Sequence, residues 1–554
     1  MKIKIGILMN DLSVMPNWHL RIIKGILNDP DLELALLIQD AGSKQRAGKL
    51  SFRSRIAPFF SEFGRGRLLL KLQLFFETRV LFNEVPSASP SLVLEALNGI
   101  ATIKIRPMKQ GQYDTFSTED LQKVQAQNLD VIVKLGFGSL SGGILSASSY
   151  GVWDFLHRDH LLPYAGPIGF WEVLTKAPVV GFTLLKLNHD KGQHLVLDTA
   201  FFNRDWSMTE SRFMVEEGAV SVLFKNLKKL RGRGLDAVDA GVLMIQARKS
   251  PTIFSVIKYL YRFYSGLWDK VKTKILNRFF GVRPERWSLF VGKGNFLAAA
   301  PLSIVPVPLP KDEFWADPFI FQHKGIDYVF FEKYCYIKNR GRVSCGVIQG
   351  NHIVDVMDVL ELDYHLSFPY IFEEDGEIFL MPETSENKRL EIYKAIDFPT
   401  QWQLHTTAFD GEMVADAFFY TDKQSQKWLF INKQAAPTAP MNSELFIYKT
   451  DSILLDNLQP HEQNPVMIDA RIARNGGEIF EYEGQIYRPS QRNEDGIYGR
   501  ALNINKIEKL TLEEYVEKTV QVIKPDFDEK LIAMHHVHQK YGLFVFDAAY
   551  KRKK

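Results

Sequence analysis

One short phrase recurs five times in the second half of the chain. It consists of a polar or small residue, an aromatic-rich strand, a turn, and a second aromatic strand ending in a polar side chain. The copies occupy residues 317–333 (DPFIFQHKGIDYVFFEK), 368–384 (FPYIFEEDGEIFLMPET), 416–433 (DAFFYTDKQSQKWLFINK), 477–492 (GEIFEYEGQIYRPSQR) and 536–548 (HVHQKYGLFVFDA). Their starts lie roughly 45–60 residues apart, a spacing typical of propeller blades. One hairpin cannot bury its own apolar face, whereas five copies closed radially can, and closure leaves no long open edges. The repeat therefore predicts an all-β five-bladed propeller over residues 287–554. The first strand of each blade would run beside a central channel, so residues at the strand ends would collect about one axis. Residues 287–292 (WSLFVG) are a candidate extra strand for the last blade.

A chain of 554 residues is too long for a single core, so further domains are expected. A net charge of +3 gives no general reason to bind nucleic acid, and none is expected as a partner. The 40 Phe and 20 Tyr suit many short strands and also surfaces on which sugar rings stack. The two cysteines, Cys335 and Cys345, lack zinc-type spacing and point to a reducing compartment; facing each other in a hairpin they could pair. The opening residues MKIKIGILMN read as a buried first strand rather than a signal peptide. No run approaches the roughly 18–20 apolar residues needed to span a bilayer. The expected location is cytoplasmic.

In the first half, residues 2–9, 32–39 and 129–135 read as apolar strands and 18–28 as a helix, followed by a Gly-rich turn over 136–144. Strands alternating with helices predict a parallel, Rossmann-like α/β sheet. The turn lacks the G-x-G-x-x-G spacing after the first strand, so no NAD is predicted. Five features then follow in order: Gly151-Val152, Leu161-Leu162-Pro163, Gly166-Pro167, a strand from Thr183 to Leu187, and Asp190-Lys191-Gly192. In that order they resemble the core of the formyltransferase family. The resemblance covers about 200 residues and implies an α/β formyltransferase domain over 1–235, with formyl-tetrahydrofolate as cofactor and an amine as acceptor. That family uses an Asn, a His and an Asp together. Here the Asn position falls on Asp154, and the His position on Leu156 with His157 next to it. Only Asp190 matches by type, after a short deletion. An ionised carboxylate cannot donate a hydrogen bond to an oxyanion. His157 could act only if a bulge shifts the strand, because neighbouring strand residues point to opposite faces. Asp190, His157 and Asp154 are the candidate catalytic residues; a formyltransferase fold without the activity is the competing reading.

Two segments, 44–79 and 251–286, interleave aromatic residues with Lys and Arg. The second is expected to be a helical basic and aromatic linker over 236–286. It suits peripheral binding to the inner face of an anionic membrane or to a polyprenyl-phosphate substrate, or else a helix packed between domains with a solvated basic face.

The second half resembles the N-terminal region of plant glucosamine inositolphosphorylceramide transferases and, more distantly, five-bladed propeller glycosidases. Residues 315–319, 368–385, 415–420, 469–478 and 487–492 carry the likeness. In the plant family glycosyl transfer belongs to a different, later domain, so the resemblance implies a glycan context rather than a reaction. The glycosidases place two Asp and a Glu around the channel, and Asp317, Asp416 and Glu383 occupy strand ends suited to this. Arg471, Arg474, Arg488 and Gln491 would face them, and Trp315 is a candidate surface for a sugar ring. Such a ring of carboxylates and arginines also describes a network tying blades together, or a site for an anionic sugar. His535, His536 and His538 are assigned to channel lining; no metal centre is expected. These readings converge on a transferase of glycan assembly, modifying an amino sugar of a nucleotide- or lipid-linked saccharide held by the propeller. The alternatives are an inactive formyltransferase fold with a carbohydrate-binding propeller, or a glycosidase-like propeller.

Overall fold

The structure is a computed structural model that describes residues 2–10, 15–41, 62–82, 93, 95–157, 166–189, 193–233, 242–244, 250–280, 285–299, 304–434 and 440–551. The chain forms two compact units, Met1–Ser265 and Gly266–Lys554.

The first unit is built on an eight-stranded sheet. Its strands are β1 (Ile3–Met9), β2 (Leu32–Asp40), β3 (Thr102–Ile105), β4 (Val131–Lys134), β5 (Val152–Leu156), β6 (Val179–Lys186), β7 (Gln193–Asn203) and β8 (Val242–Met244), in the order 8-7-6-5-4-1-2-3. The five strands β1 to β5 run parallel, and β6 to β8 are antiparallel additions. The parallel strands are nearly continuous apolar runs because helices cover them: every residue of β1 from Ile5 to Met9 is buried. Helix α1 (Asn17–Asn28) buries Trp18, Leu20, Ile22, Ile23 and Ile26 along one stripe. Helix α2 spans Glu62–Phe76, and α3 (Thr118–Gln125) starts at a Ser117 cap whose hydroxyl accepts from the Asp120 amide at 3.1 Å. Helix α4 is Phe170–Thr175 and α5 is Met208–Arg233. Helix α6 (Ile253–Phe280) occupies most of the expected linker, where β8 also adds an edge strand to the first sheet.

In the second unit each of the five sequence copies is a hairpin, and the hairpins belong to five separate antiparallel sheets in chain order. None of these sheets closes on itself among the described residues. The strand Glu285–Lys293, which contains the WSLFVG run, pairs antiparallel with Leu543–Lys551, so the start and end of the unit share one sheet. Cys335 lies opposite Glu313 and Arg340, and Cys345 opposite Phe330; both thiols are free and out of register for pairing.

Three of the hairpins carry the same irregularity. The ladder slips between Ala316 and Phe319, between Ser367 and Tyr370, and between Ala415 and Phe418. At each slip one non-glycine residue takes a left-handed backbone: Asp317 at φ 51°, Phe368 at 43° and Asp416 at 49°. This costs of order 1–3 kcal/mol per residue and persists only where the surroundings over-determine it. A bulge at a strand end re-aims the side chain it carries. The same device at one position in three sheets turns two carboxylates toward common ground.

No helix among the described residues is long and apolar enough to cross a membrane.

Candidate functional site

The ends of the hairpin strands, with the loops that carry Arg474 and His535, bring together polar and charged groups from all five sheets. Arg474 lies at the centre. Its Nε donates to Asp416 Oδ2 at 2.6 Å, and its Nη2 reaches Asp416 Oδ1 at 3.3 Å and Glu383 Oε2 at 3.2 Å. Gln491 adds an amide N–H to Asp416 Oδ2 at 3.1 Å, and Ser385 donates to Glu383 Oε1 at 2.7 Å. Asp416 is thus an acceptor for two side chains. Burial pushes its carboxyl up; Arg474 opposes this, Glu383 and Asp317 add to it, and the net direction is upward.

Asp317 faces two imidazoles, His535 Nε2 at 3.6 Å and His536 Nδ1 at 3.5 Å. Burial alone would raise its carboxyl, but the two histidines outweigh that and hold it well below the usual carboxylate range. Its backbone N–H donates to Asp547 Oδ2 at 2.9 Å, and its Oδ2 accepts from the Phe368 amide at 3.3 Å, which fixes both bulges to the same cluster. His535 Nδ1 donates to Asp547 Oδ1 at 2.7 Å. Burial lowers the pKa of this imidazole, yet Asp547 and Asp317 together push it up to about 9, so it is a cation at neutral pH. Asp317, His535 and Asp547 present ligand atoms within 4.8 Å of one another, a span that a metal ion could fit. Asp547 already accepts from His535 Nδ1 and from the backbone amides of Asp317, His535 and His536, so the set reads as a hydrogen-bonded relay.

Glu332 completes the ring. It is buried, with His365 Nε2 at 3.4 Å from its Oε1. Burial raises its pKa most, and the carboxylates of Asp317 and Glu383 raise it further. Gly341 makes room for it: a Cβ there would lie 2.6 Å from Glu332 Oε1. Over the cluster sits Tyr498, 41% exposed, its ring 5.5 Å from the Arg474 guanidinium carbon and 5.4 Å from the His535 ring.

Several of the expected site residues lie elsewhere. Trp315 is 5% exposed and packs on Phe331 at 4.5 Å inside the core, so its ring is not offered to a sugar. Arg488 is fully buried and turned away: it holds Glu517 from its own sheet, with Nε to Oε2 at 2.8 Å, and caps the Ile472 carbonyl and Asn475 Oδ1. Alternation along the strand decides this, since Ser490 and Arg488 share one side and Gln491 the other. Arg471 pairs with Asp469, Nη2 to Oδ2 at 2.6 Å, and is partly exposed. His538 Nδ1 accepts from the Ile320 amide at 3.0 Å, so its Nε2 donates to Glu478 Oε2, 2.8 Å away.

In the first unit, Asp154 on β5 holds Lys134 at the end of β4, with both carboxylate oxygens 2.9 Å from Nζ. The register of β5 against β6 is unbroken from Trp153 to Leu156, so no bulge brings His157 to the Asp154 face. His157 instead packs among Trp18, Phe155 and Phe182, at ring distances of 5.0, 6.3 and 5.8 Å. Burial lowers its pKa to about 4, against an upward pull from Asp154. The bulge that His157 would need is absent from the described register, and Asp190, which it was expected to reach, lies outside the described residues.

Residues 301–534 match the family described as glucosamine inositolphosphorylceramide transferase 1, N-terminal. Proteins named glucosamine inositolphosphorylceramide transferase 1 from Oryza sativa subsp. japonica and Arabidopsis thaliana are 34% and 33% identical over 213 and 216 residues. Each match takes in 38% of this chain and 28% of the relative, so the chain spans little more than a quarter of those proteins. A thermostable family-43 glycoside hydrolase aligns over 44% of this chain and 90% of its own, at 12% identity and a TM-score of 0.35. Glycinamide ribonucleotide transformylase 1 from Symbiobacterium toebii aligns over 41% of this chain and 86% of its own, at 12% identity and a TM-score of 0.25. The matched stretch of sequence contains Asp317, Glu332, Glu383, Asp416, Arg474, Gln491 and Tyr498, so most of the charged cluster lies within it.

Proposed function

We propose that the five sheets are blades of a propeller whose channel binds a saccharide, in a transferase-type protein of glycan assembly. One observation carries this reading: a single guanidinium on a loop, Arg474, holds carboxylates from two sheets beneath an exposed tyrosine ring. Buried carboxylates accept from sugar hydroxyls, an arginine fork donates to them, and an aromatic face stacks on the ring's C–H side. The relatives' name supplies the ligand class to try first, an amino sugar or inositol phosphate from a glycolipid. Titration of the full chain with glucosamine, glucuronic acid and inositol 1-phosphate tests it. Tyr498→Ala, a change at an exposed position, should weaken binding by about tenfold, the scale of one lost aromatic contact. No binding of any probe, or binding indifferent to Tyr498, removes the reading.

Glu332 supports a second one. A carboxyl pushed well up, in one cluster with Asp317 held well down, is the pattern of an acid and a base set apart by their surroundings. Hydrolysis of p-nitrophenyl glycosides, abolished by Glu332→Gln, would favour a glycosidase-like channel.

Formyl transfer from formyl-tetrahydrofolate is the narrower form for the first unit. Asp154 and His157 do not support it, since one is tied to Lys134 and the other enclosed by aromatic rings. A folate titration decides whether that unit has kept the cofactor.

A further inference from the structure

Helix α6 has two unlike sides. Val256, Tyr259 and Phe263 are fully buried, and the Tyr259 hydroxyl donates to Glu77 Oε1 at 2.7 Å. The other side is apolar and open to water. Phe254 and Tyr261 are each 75% exposed, with Ile257 and Tyr264 between and beyond them. The row continues through Trp268, Val271, Ile275 and Phe279, all exposed. Spaced three or four residues apart, these eight side chains fall within an arc of about 100°. A second exposed row, Leu68, Leu72 and Phe75, lies on α2, which packs beside α6 through Gln73 and Phe76 against Tyr264. The solvated basic face expected of a linker helix is therefore an apolar face bordered by bases.

Charge selects the occupant. Over Ile253–Phe280 there are six basic residues, Lys258, Arg262, Lys270, Lys272, Lys274 and Arg278, and one acid, Asp269. Lys258 and Arg262 fall along one border of the row and Arg278 along the other. Helix α2 adds Arg67 and Lys71, and Arg79 follows it in the next turn. A second copy of this helix would set base against base. Its row is also rich in Phe, Tyr and Trp, where a helical dimer seam uses Leu and Ile. Aromatic rings between lysines and arginines match the interface of a bilayer carrying anionic lipid. We infer that α6, with α2 beside it, is a peripheral membrane-docking surface that lies in the plane of an anionic bilayer.

The test is co-sedimentation of the full chain with phosphatidylcholine vesicles containing about 30% phosphatidylglycerol, against phosphatidylcholine alone. Binding should require the anionic lipid and fall sharply at about 0.5 M salt. The triple variant Phe254→Ser, Tyr261→Ser, Trp268→Ser should bind at least about tenfold more weakly. The pair Lys258→Glu, Arg262→Glu should lose at least about thirtyfold, from about 1 kcal/mol for each basic residue removed near the surface. The triple variant and Lys258→Glu change exposed side chains while Arg262 is half-buried, so the melting temperature of each variant is measured beside its binding and should match the parent. The inference is overturned by no binding to either vesicle, by equal binding to both, or by a triple variant that binds like the parent. A parent that ignores vesicles but forms a dimer, dissociated by the triple variant, overturns it in favour of self-association.

Discussion

Lys134 and Arg474 do the same task in different company. In the first unit a lysine at a strand end meets one carboxylate, Asp154, in a half-open position. In the second, an arginine meets two carboxylates in a buried cluster that also holds Asp317, Glu332 and Asp547. The lysine pair can be dissolved into water at little loss. The arginine cannot be removed without leaving Asp416 and Glu383 buried without their cation, so the second unit concentrates in one place both its strain and its capacity to recognise a ligand. The left-handed Asp317 and Asp416 belong to the same pattern, whereas among the described residues Asp154 sits in unbroken strand register.

The largest effect should come from Arg474→Met. It leaves Asp416 and Glu383 buried without their cation, which costs about 3–5 kcal/mol when one partner of a buried pair is lost. Urea unfolding of the full chain measures this; a loss below about 1 kcal/mol would place the cluster in water and void the contrast.

Arg488→Lys should come next. Lysine keeps the charge but cannot reproduce the fork on Glu517 together with the Ile472 carbonyl and Asn475, and a loss of about 1–3 kcal/mol is expected. Saccharide affinity should not change, because Arg488 faces away from the cluster. A change in affinity at constant melting temperature would return Arg488 to the site.

How much of this was legible follows from repetition. Asp317, Glu383 and Asp416 could be named from sequence because they sit at repeated positions of a repeated phrase. Glu332 and Asp547 occupy the same final polar position as Glu383 in their copies, so aligning that position across all five would have found them. Tyr498 lies outside the phrase and carried no signal. The arginines show the limit: residue type is the same in Arg474 and Arg488, and only the loop path and strand alternation decide which one faces the carboxylates. In the first unit there was no repeat to lean on, and an order of short motifs says nothing about whether a bulge sets His157 beside Asp154. The linker was legible in composition but not in orientation, since the partner that buries Tyr259 is Glu77, 182 residues away.

Histidines sharpen the comparison through pH. His535 is raised to about 9 in the folded chain, so it binds a proton there that the unfolded chain releases above about 6.5. Its contribution is complete below pH 6.5 and is lost as pH rises through 9. His19 is lowered to about 4 by burial and then by His157; His157 is lowered to about 4 by burial, with Asp154 pulling up and Lys134 adding to the fall. The unfolded chain binds more protons than the fold between about 4 and 6.5, so stability falls as pH drops through that window. Each uncompensated proton gives a slope of about 1.4 kcal/mol per pH unit. His535→Gln should flatten the alkaline limb and His157→Gln the acid one. Either variant flattening the other limb would refute the assignment.

The smallest effect should be Lys134→Met. The pair is tight, at 2.9 Å to both oxygens, yet 24% of the Asp154 side chain and 14% of that of Lys134 stay exposed, so water can replace most of what the cation supplies. A loss of about 1 kcal/mol or less is expected, within the range of partly solvated pairs. The measurement discriminates because the same substitution chemistry, a cation replaced by methionine, is made in both units. If Lys134→Met costs as much as Arg474→Met, Asp154 sits in a desolvated pocket of its own. The first unit would then hold a charged site as demanding as the channel, and a search for its ligand would begin at the carboxyl ends of β4 and β5.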